Sequence, residues 1–211
     1  MYRSRTRDPR AFEPPLRDEF ERFLSGDWLS RKLAKIPRLF PKKLLKGDVP
    51  NRGSAPKVLA ISSPGGHWIQ LLRIQRAWDG CNVIYASSLD GYANELSKQS
   101  VKQGLPLPTY YSVTDANRWQ RLRLAKQLMD VFFIILRHRP DVVVTTGAAP
   151  GYFALRIGRL LGARTIWIDS IANANELSLS GKWAGKHADL WLTQWEDLAC
   201  KGGPKFYGAV M

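Results

Sequence analysis

The sequence predicts an α/β protein, a parallel sheet with helices on both faces, carried behind a basic amphipathic N-terminal arm. Three observations predict it. From Lys57 onward, short β-prone apolar runs alternate with segments of helical periodicity, the order that builds a parallel sheet. Two of those runs close on small, glycine-bearing turns, Pro64-Gly65-Gly66 and Thr146-Gly-Ala-Ala-Pro-Gly151, at the strand ends where open α/β sheets bind ligands. Before Lys57 the composition differs: residues 31–46 hold seven basic side chains and no acid.

The arm comprises residues 1–56. Arg31, Lys32, Lys35, Arg38, Lys42, Lys43 and Lys46 interleave with Leu33, Ile36, Leu39, Phe40, Leu44 and Leu45 at near-helical spacing. Pro37 and Pro41 divide the segment into two short pieces. Such a segment fits an anionic membrane interface, a solvated basic arm or a helix packed on the body; the first is favoured. Residues 48–56 read as a linker. The body, 57–211, has strand-like runs at 57–62, 83–87, 109–113, 141–146, 164–169, 190–193 and 206–207. Helical periodicity covers 68–78, 92–102, 117–139, 151–161 and 182–187. The fourth-strand crossover, 117–139, is basic early and strongly apolar late; an exposed apolar patch there would mark a partner or a membrane.

Composition narrows the function. The 211-residue chain has a net charge of +14, which calls for an anionic partner. A basic nucleic-acid-binding protein is kept as an alternative ranked well below, because no nucleic-acid motif is present and the bases concentrate in the arm. Two cysteines, Cys81 and Cys200, without metal spacing predict a reduced intracellular protein with no metal site. The longest apolar run, Val131–Leu136, has six residues, too short to span a bilayer, and the N-terminus lacks a signal-peptide core.

The chemistry-bearing residues sit at the strand ends. The run 57–62 leads through Ser63, Pro64, Gly65 and Gly66 to His67 at a helix start. Adjacent glycines allow close backbone approach and a helix start attracts anions, so the turn is either a plain βα corner or a phosphate site. It matches neither the dinucleotide fingerprint nor the P-loop. Thr146 and Gly147 repeat the arrangement and supply an opposing wall to one cleft. After the strand 164–169, Asp169 and Ser170 open a polar loop. Asn173, Asn175, Ser178 and Ser180 offer hydrogen bonds to sugar hydroxyls, and Lys182 offers a cation to a phosphate. Asn/Ser turn chemistry and a serine N-cap account for the same residues.

In order along the chain stand Ser63-Pro-Gly-Gly-His67, Thr146-Gly-Ala-Ala-Pro-Gly151, Asp169-Ser170, Leu177-Ser-Leu-Ser-Gly-Lys182, Leu192-Thr-Gln-Trp195 and Phe206-Tyr-Gly208. This pattern resembles the asparagine-linked-glycosylation-fourteen family of acceptor-side glycosyltransferase subunits, and equally its PssD-type exopolysaccharide relatives. The resemblance covers residues 57–211. It implies a Rossmann-like half of a GT-B enzyme, with no cofactor and a UDP-sugar as donor. The enzyme would transfer N-acetylglucosamine or glucuronic acid to a polyprenyl-diphosphate-linked acceptor. It implies peripheral attachment to the cytoplasmic face of the cell membrane and a separate donor-binding glycosyltransferase subunit, since Met211 closely follows the last strand.

Carried over by position, Gly65, Gly66 and His67 line the cleft, while Asp169, Ser170, Ser178, Ser180, Gly181 and Lys182 form the signature loop. Gln194 and Trp195 lie at the partner-facing end. His67 is then the expected general base, with Asp169 as rival base or orienting group. The chain departs from the eukaryotic pattern in having the basic segment 31–46 where a spanning helix is usual, and Asp169 and Asn173 where Glu and Arg are usual. Those departures favour an exopolysaccharide role. A non-catalytic docking scaffold is the alternative.

Overall fold

The computed structural model describes residues 55–210, apart from Leu105 and Arg118. The expected arm, with its basic segment 31–46, therefore lies outside the described residues except for Ala55 and Pro56. Seven strands form one parallel sheet: β1 (Lys57–Ile61), β2 (Asn82–Ser87), β3 (Thr109–Ser112), β4 (Val142–Thr145), β5 (Arg164–Ile168), β6 (Leu190–Thr193) and β7 (Lys205–Phe206). Among the described residues five α-helices accompany them: α1 (Gly66–Arg73), α2 (Tyr92–Gln103), α3 (Arg121–His138), α4 (Ala148–Leu160) and α5 (Leu179–Ala184).

The strand order is β3-β2-β1-β4-β5-β6-β7, a Rossmann-like sheet extended by one strand. Its central strands carry apolar side chains on both faces because helices cover both. On one side Val58 and Ala60 of β1 and Val144 of β4 pack with Trp68 and Leu71 of α1 and with Ile74 just after it. On the other, Leu59, Ile61 and Val143 pack with Val131 and Ile135 of α3 and Ala154 of α4. The period-two alternation along β1 thus feeds two separate cores.

The expected fold class holds, and the differences are at helix ends. The helix expected over 68–78 starts earlier, at Gly66, and stops at Arg73. A 3₁₀ turn at Gln75–Trp78 then carries Trp78 into the core, where its indole N–H donates to the Tyr85 hydroxyl (3.2 Å). Helix α3 begins at Arg121 rather than 117, because the Asn117 side chain accepts from the Trp119 N–H (3.0 Å) and makes its own turn. Helix α4 begins before Pro150, which is tolerated in a first turn. Helix α5 begins before Lys182, because the Ser178 hydroxyl caps it by accepting from the Gly181 N–H (2.9 Å). Among the described residues no helix is long and apolar enough to cross a membrane.

Candidate active site

Strands β1 and β4 are neighbours, yet α1 leaves β1 toward one face of the sheet and α4 leaves β4 toward the other. Their carboxyl ends consequently part and open a crevice. His67, in the first turn of α1, bridges it. Its Nδ1 lies 2.8 Å from the Thr146 carbonyl oxygen, and the Thr146 hydroxyl donates back to the His67 carbonyl (2.6 Å). A carbonyl only accepts, so Nδ1 donates to it, and Nε2 is the ring nitrogen turned away from that bond. Among the described residues Nε2 has no hydrogen-bond partner.

Gly147 is required behind that ring for two reasons. Its φ is +134°, and a Cβ there would sit 2.7 Å from His67 Cε1. The following residue, Ala148, also has a positive φ, 63°, an uncommon conformation for a side-chain-bearing residue and one that clusters at functional turns. Gly65, at φ +76°, makes the corresponding turn into α1, and its N–H donates to the Tyr92 hydroxyl (2.9 Å). The Tyr92 ring stacks on Trp68 at 4.5 Å, so the start of α2 buttresses the turn. Tyr110 meets the same Trp68 edge-on at 6.0 Å, and burial pushes its hydroxyl pKa up to about 12, with Asp90 and Tyr92 adding to the effect. Neither α1 nor α4 has a side-chain cap, so no capping side chain takes up their first-turn N–H groups, which in α4 are those of Ala148 and Ala149 ahead of Pro150. Ser63 is half-buried and Gly66 exposed in this turn.

The loop after β5 is organised around Asp169, which is 2% exposed. Its Oδ1 accepts from the Ser178 hydroxyl (2.6 Å) and its Oδ2 from the Ser178 N–H (2.9 Å). Gly181 is packed so closely on this pair that a Cβ would lie 2.8 Å from both Asp169 Oδ1 and Ser178 Oγ. The serine-cap reading of the loop is therefore realised. Lys182, expected at a phosphate, pairs with Glu176 (2.7 Å), whose carboxyl it holds below the usual range. Asn173 donates its backbone N–H to the Ser170 carbonyl (3.1 Å); it and Ser180 are half-buried, and Asn175 is exposed.

Gln194 and Trp195 separate from one another. Trp195 is half-buried and donates its indole N–H to the Ile171 carbonyl (2.8 Å). Gln194 is 1% exposed and faces inward, so in this conformation it meets no external partner. Its amide donates to Gln70 Oε1 (2.6 Å) and to the Asp169 carbonyl (2.8 Å), and its carbonyl oxygen accepts from the Val210 N–H (2.8 Å). Gln70 Nε2 in turn donates to the Ser170 hydroxyl (3.3 Å), and Gln70 Oε1 accepts from the Ile171 N–H (3.2 Å). One buried network thus ties α1, three residues beyond His67, to the signature loop, the residue that follows β6 and the chain's last described residue. The sequence reading missed Gln70 and Tyr92. Gln70 leaves one trace, a polar residue on the buried side of an amphipathic helix; Tyr92 leaves none. Among the described residues no cluster of three His, Cys, Asp or Glu side chains is built to hold a metal ion.

Residues 58–210 match the family described as oligosaccharide biosynthesis protein Alg14 like. The UDP-N-acetylglucosamine transferase subunit ALG14 of Yarrowia lipolytica is 27% identical over 168 residues, covering 70% of this chain and 77% of that protein. Its counterpart in Eremothecium gossypii is 28% identical over 184 residues, covering 76% of this chain and 82% of that protein. Among solved structures, MurG of Acinetobacter baumannii superimposes with a TM-score of 0.54 at 15% identity, over 71% of this chain and 44% of MurG. UDP-N-acetylglucosamine 2-epimerase of Rickettsia bellii gives 0.51 at 16% identity, over 68% of this chain and 40% of the epimerase. This chain spans less than half of either structure, and at such identities the likeness shows the fold alone.

Proposed function

Because the chain belongs to the Alg14-like family of oligosaccharide biosynthesis proteins, we propose that it is the acceptor-side subunit of a UDP-sugar-dependent glycosyltransferase. The observation that carries this reading is the His67–Thr146 clamp at the β1/β4 crevice, which directs the imidazole Nε2 away from its anchor. The acceptor is a polyprenyl-diphosphate-linked saccharide. N-acetylglucosamine is favoured as the sugar over glucuronic acid, since the fungal relatives carry it in their names.

In the reaction, the acceptor hydroxyl gives its proton to His67 Nε2 as its oxygen bonds to the sugar's anomeric carbon. The bond from that carbon to the diphosphate breaks and UDP leaves with the electron pair. First-turn N–H groups of α1 and α4 face phosphate oxygens. Asp169, with both oxygens engaged by Ser178, shapes the loop rather than taking the proton. No metal or other cofactor takes part. A donor-binding partner completes the nucleotide-sugar site, and the pair works peripherally at the cytoplasmic face of the cell membrane.

The test is sugar transfer from labelled UDP-N-acetylglucosamine to a short polyprenyl-diphosphate saccharide, with this chain alone and with a co-purified donor-binding protein. Transfer only by the pair is expected. Full turnover by this chain alone refutes the subunit reading, and wild-type transfer by a His67→Ala pair refutes the base.

A further inference from the structure

Helix α3 has two apolar faces, and the fold uses one. Gln127, Val131, Ile134 and Ile135 are buried on its inner side. On the opposite side Leu122, Met129, Phe133 and Leu136 recur at i, i+7, i+11 and i+14, one stripe on an α-helix. That stripe is exposed, Leu122 at 89% and Phe133 at 57%. The charges bordering it have one sign. Arg121, Arg123, Lys126 and Arg137 are exposed. The helix's single carboxylate, Asp130, is drawn inward, accepting from the N–H and the hydroxyl of Thr114 (2.9 and 2.6 Å).

The stripe's position relative to the crevice follows from length. Lys57 Nζ donates to the His138 carbonyl, so α3 ends level with the beginning of β1. An 18-residue helix runs about 27 Å, and the five residues of β1 run about 17 Å. The first turns of α3 therefore overhang the carboxyl edge of the sheet, the edge that carries His67.

We propose that this face of α3 is a membrane-docking surface. Leu122, Met129 and Phe133 enter the boundary between headgroups and acyl chains, and Arg121, Arg123, Lys126 and Arg137 meet anionic lipid headgroups. An apolar stripe whose exposed charged neighbours on the helix are all cations is complementary to that boundary. The chain's own basic segment 31–46 has the same sign and would be repelled. Docked this way, the crevice opens at headgroup level, where the diphosphate of a lipid-linked acceptor lies. The inference rests on the proposed function only for that purpose, and the binding itself is measured without turnover.

The test uses the full chain in a Cys81→Ser, Cys200→Ser background. A single cysteine is introduced as Leu122→Cys, as Phe133→Cys or, on the opposite face of the sheet, as Lys98→Cys, and labelled with a polarity-sensitive fluorophore. Mixing with phosphatidylcholine vesicles containing phosphatidylglycerol should blue-shift the label at 122 and 133 and leave 98 unchanged. Pure phosphatidylcholine or high salt should weaken the shift. In the unlabelled full chain, Leu122→Ser with Phe133→Ser should lower the vesicle partition coefficient about tenfold or more. The proposal is overturned if 122 and 133 give no shift, even where the chain pellets with vesicles. It is equally overturned if both labels are already blue-shifted before vesicles are added, the mark of a cover by the arm or a second copy. A shift that appears only on adding a protein partner overturns it as well. Failure of sugar transfer leaves these readouts untouched.

Discussion

His67 and Thr146, 79 positions apart, hold each other through two hydrogen bonds of opposite direction, imidazole to carbonyl and hydroxyl to carbonyl. The pair joins the first turn of α1 to the end of β4 across the point where the sheet's connections diverge. It settles which ring nitrogen donates to the carbonyl, and Gly147 leaves the ring room to lie there.

Replacing His67 separates chemistry from architecture. His67→Ala should lower sugar transfer by the assembled pair by about 100-fold or more, as expected for loss of a general base. The fold should lose only about 1 kcal/mol, the worth of an ordinary hydrogen bond. Thr146→Val removes the hydroxyl and keeps the carbonyl that orients Nδ1, so transfer should fall much less. Initial rates and urea unfolding of each variant check both statements.

Gly147→Ala should destabilise the protein by about 2–4 kcal/mol, combining left-handed backbone strain with a Cβ 2.7 Å from the imidazole. In a His67→Gly background the steric part vanishes and the backbone part remains. A double-mutant cycle by denaturant unfolding should show a coupling above about 0.5 kcal/mol, whereas additive effects would mean the ring is not held against Gly147.

Asp169→Asn should loosen the loop. The amide keeps one acceptor but turns an NH₂ toward the Ser178 N–H or hydroxyl, so residues 170–178 should exchange amide hydrogens faster and α5 should fray at its cap. Ser178→Ala should cost about 1 kcal/mol through the same cap. If Asp169→Asn abolished transfer while exchange in the loop stayed unchanged, Asp169 would be acting on the proton.

Gln194→Ala leaves the Val210 N–H and the Asp169 carbonyl without their buried partner, a loss of about 1–3 kcal/mol for each group that water cannot reach. Thermal unfolding should show the destabilisation, and exchange at the Val210 amide should accelerate together with that of residues 170–172.

Acid should weaken the fold through two histidines. Burial holds the pKa values of His138 and His187 below the ordinary 6.5, with nearby Arg137 and Lys57 lowering the first and Arg156, Arg159 and Lys186 the second. The unfolded chain then binds protons that the folded chain resists. Stability is full above about pH 6.5 and declines as pH falls from there through the lowered folded values. Melting temperature should drop between pH 7.5 and pH 5.5, roughly the window around the ordinary histidine value, and a His138→Gln, His187→Gln variant should show a flatter profile.

Much of the architecture was legible because burial leaves a local record. Val142-Val-Val-Thr145 and Arg164-Thr-Ile-Trp-Ile168 read as strands covered on both sides, and that is how they lie. The helix ends were less legible, since Asn117 and Ser178 set them through single side-chain bonds that periodicity does not register. The two glycine turns were legible in position, as Gly65 and Gly147 are dictated by backbone shape. The role of the 169–182 loop was open, because serine and asparagine serve turns, caps and ligands with the same atoms.

By itself the sequence determined the parallel α/β sheet, the position of its small-residue turns and the family, since hydrophobic periodicity and short motifs are properties of neighbouring residues. Only the tertiary structure decided that His67 is clamped to Thr146, that Asp169 and Gln194 face inward, and that α3 keeps a second apolar face in solvent. Each of these depends on where one element sits against another, and contacts between residues some 80 to 120 positions apart leave no periodic trace along the chain.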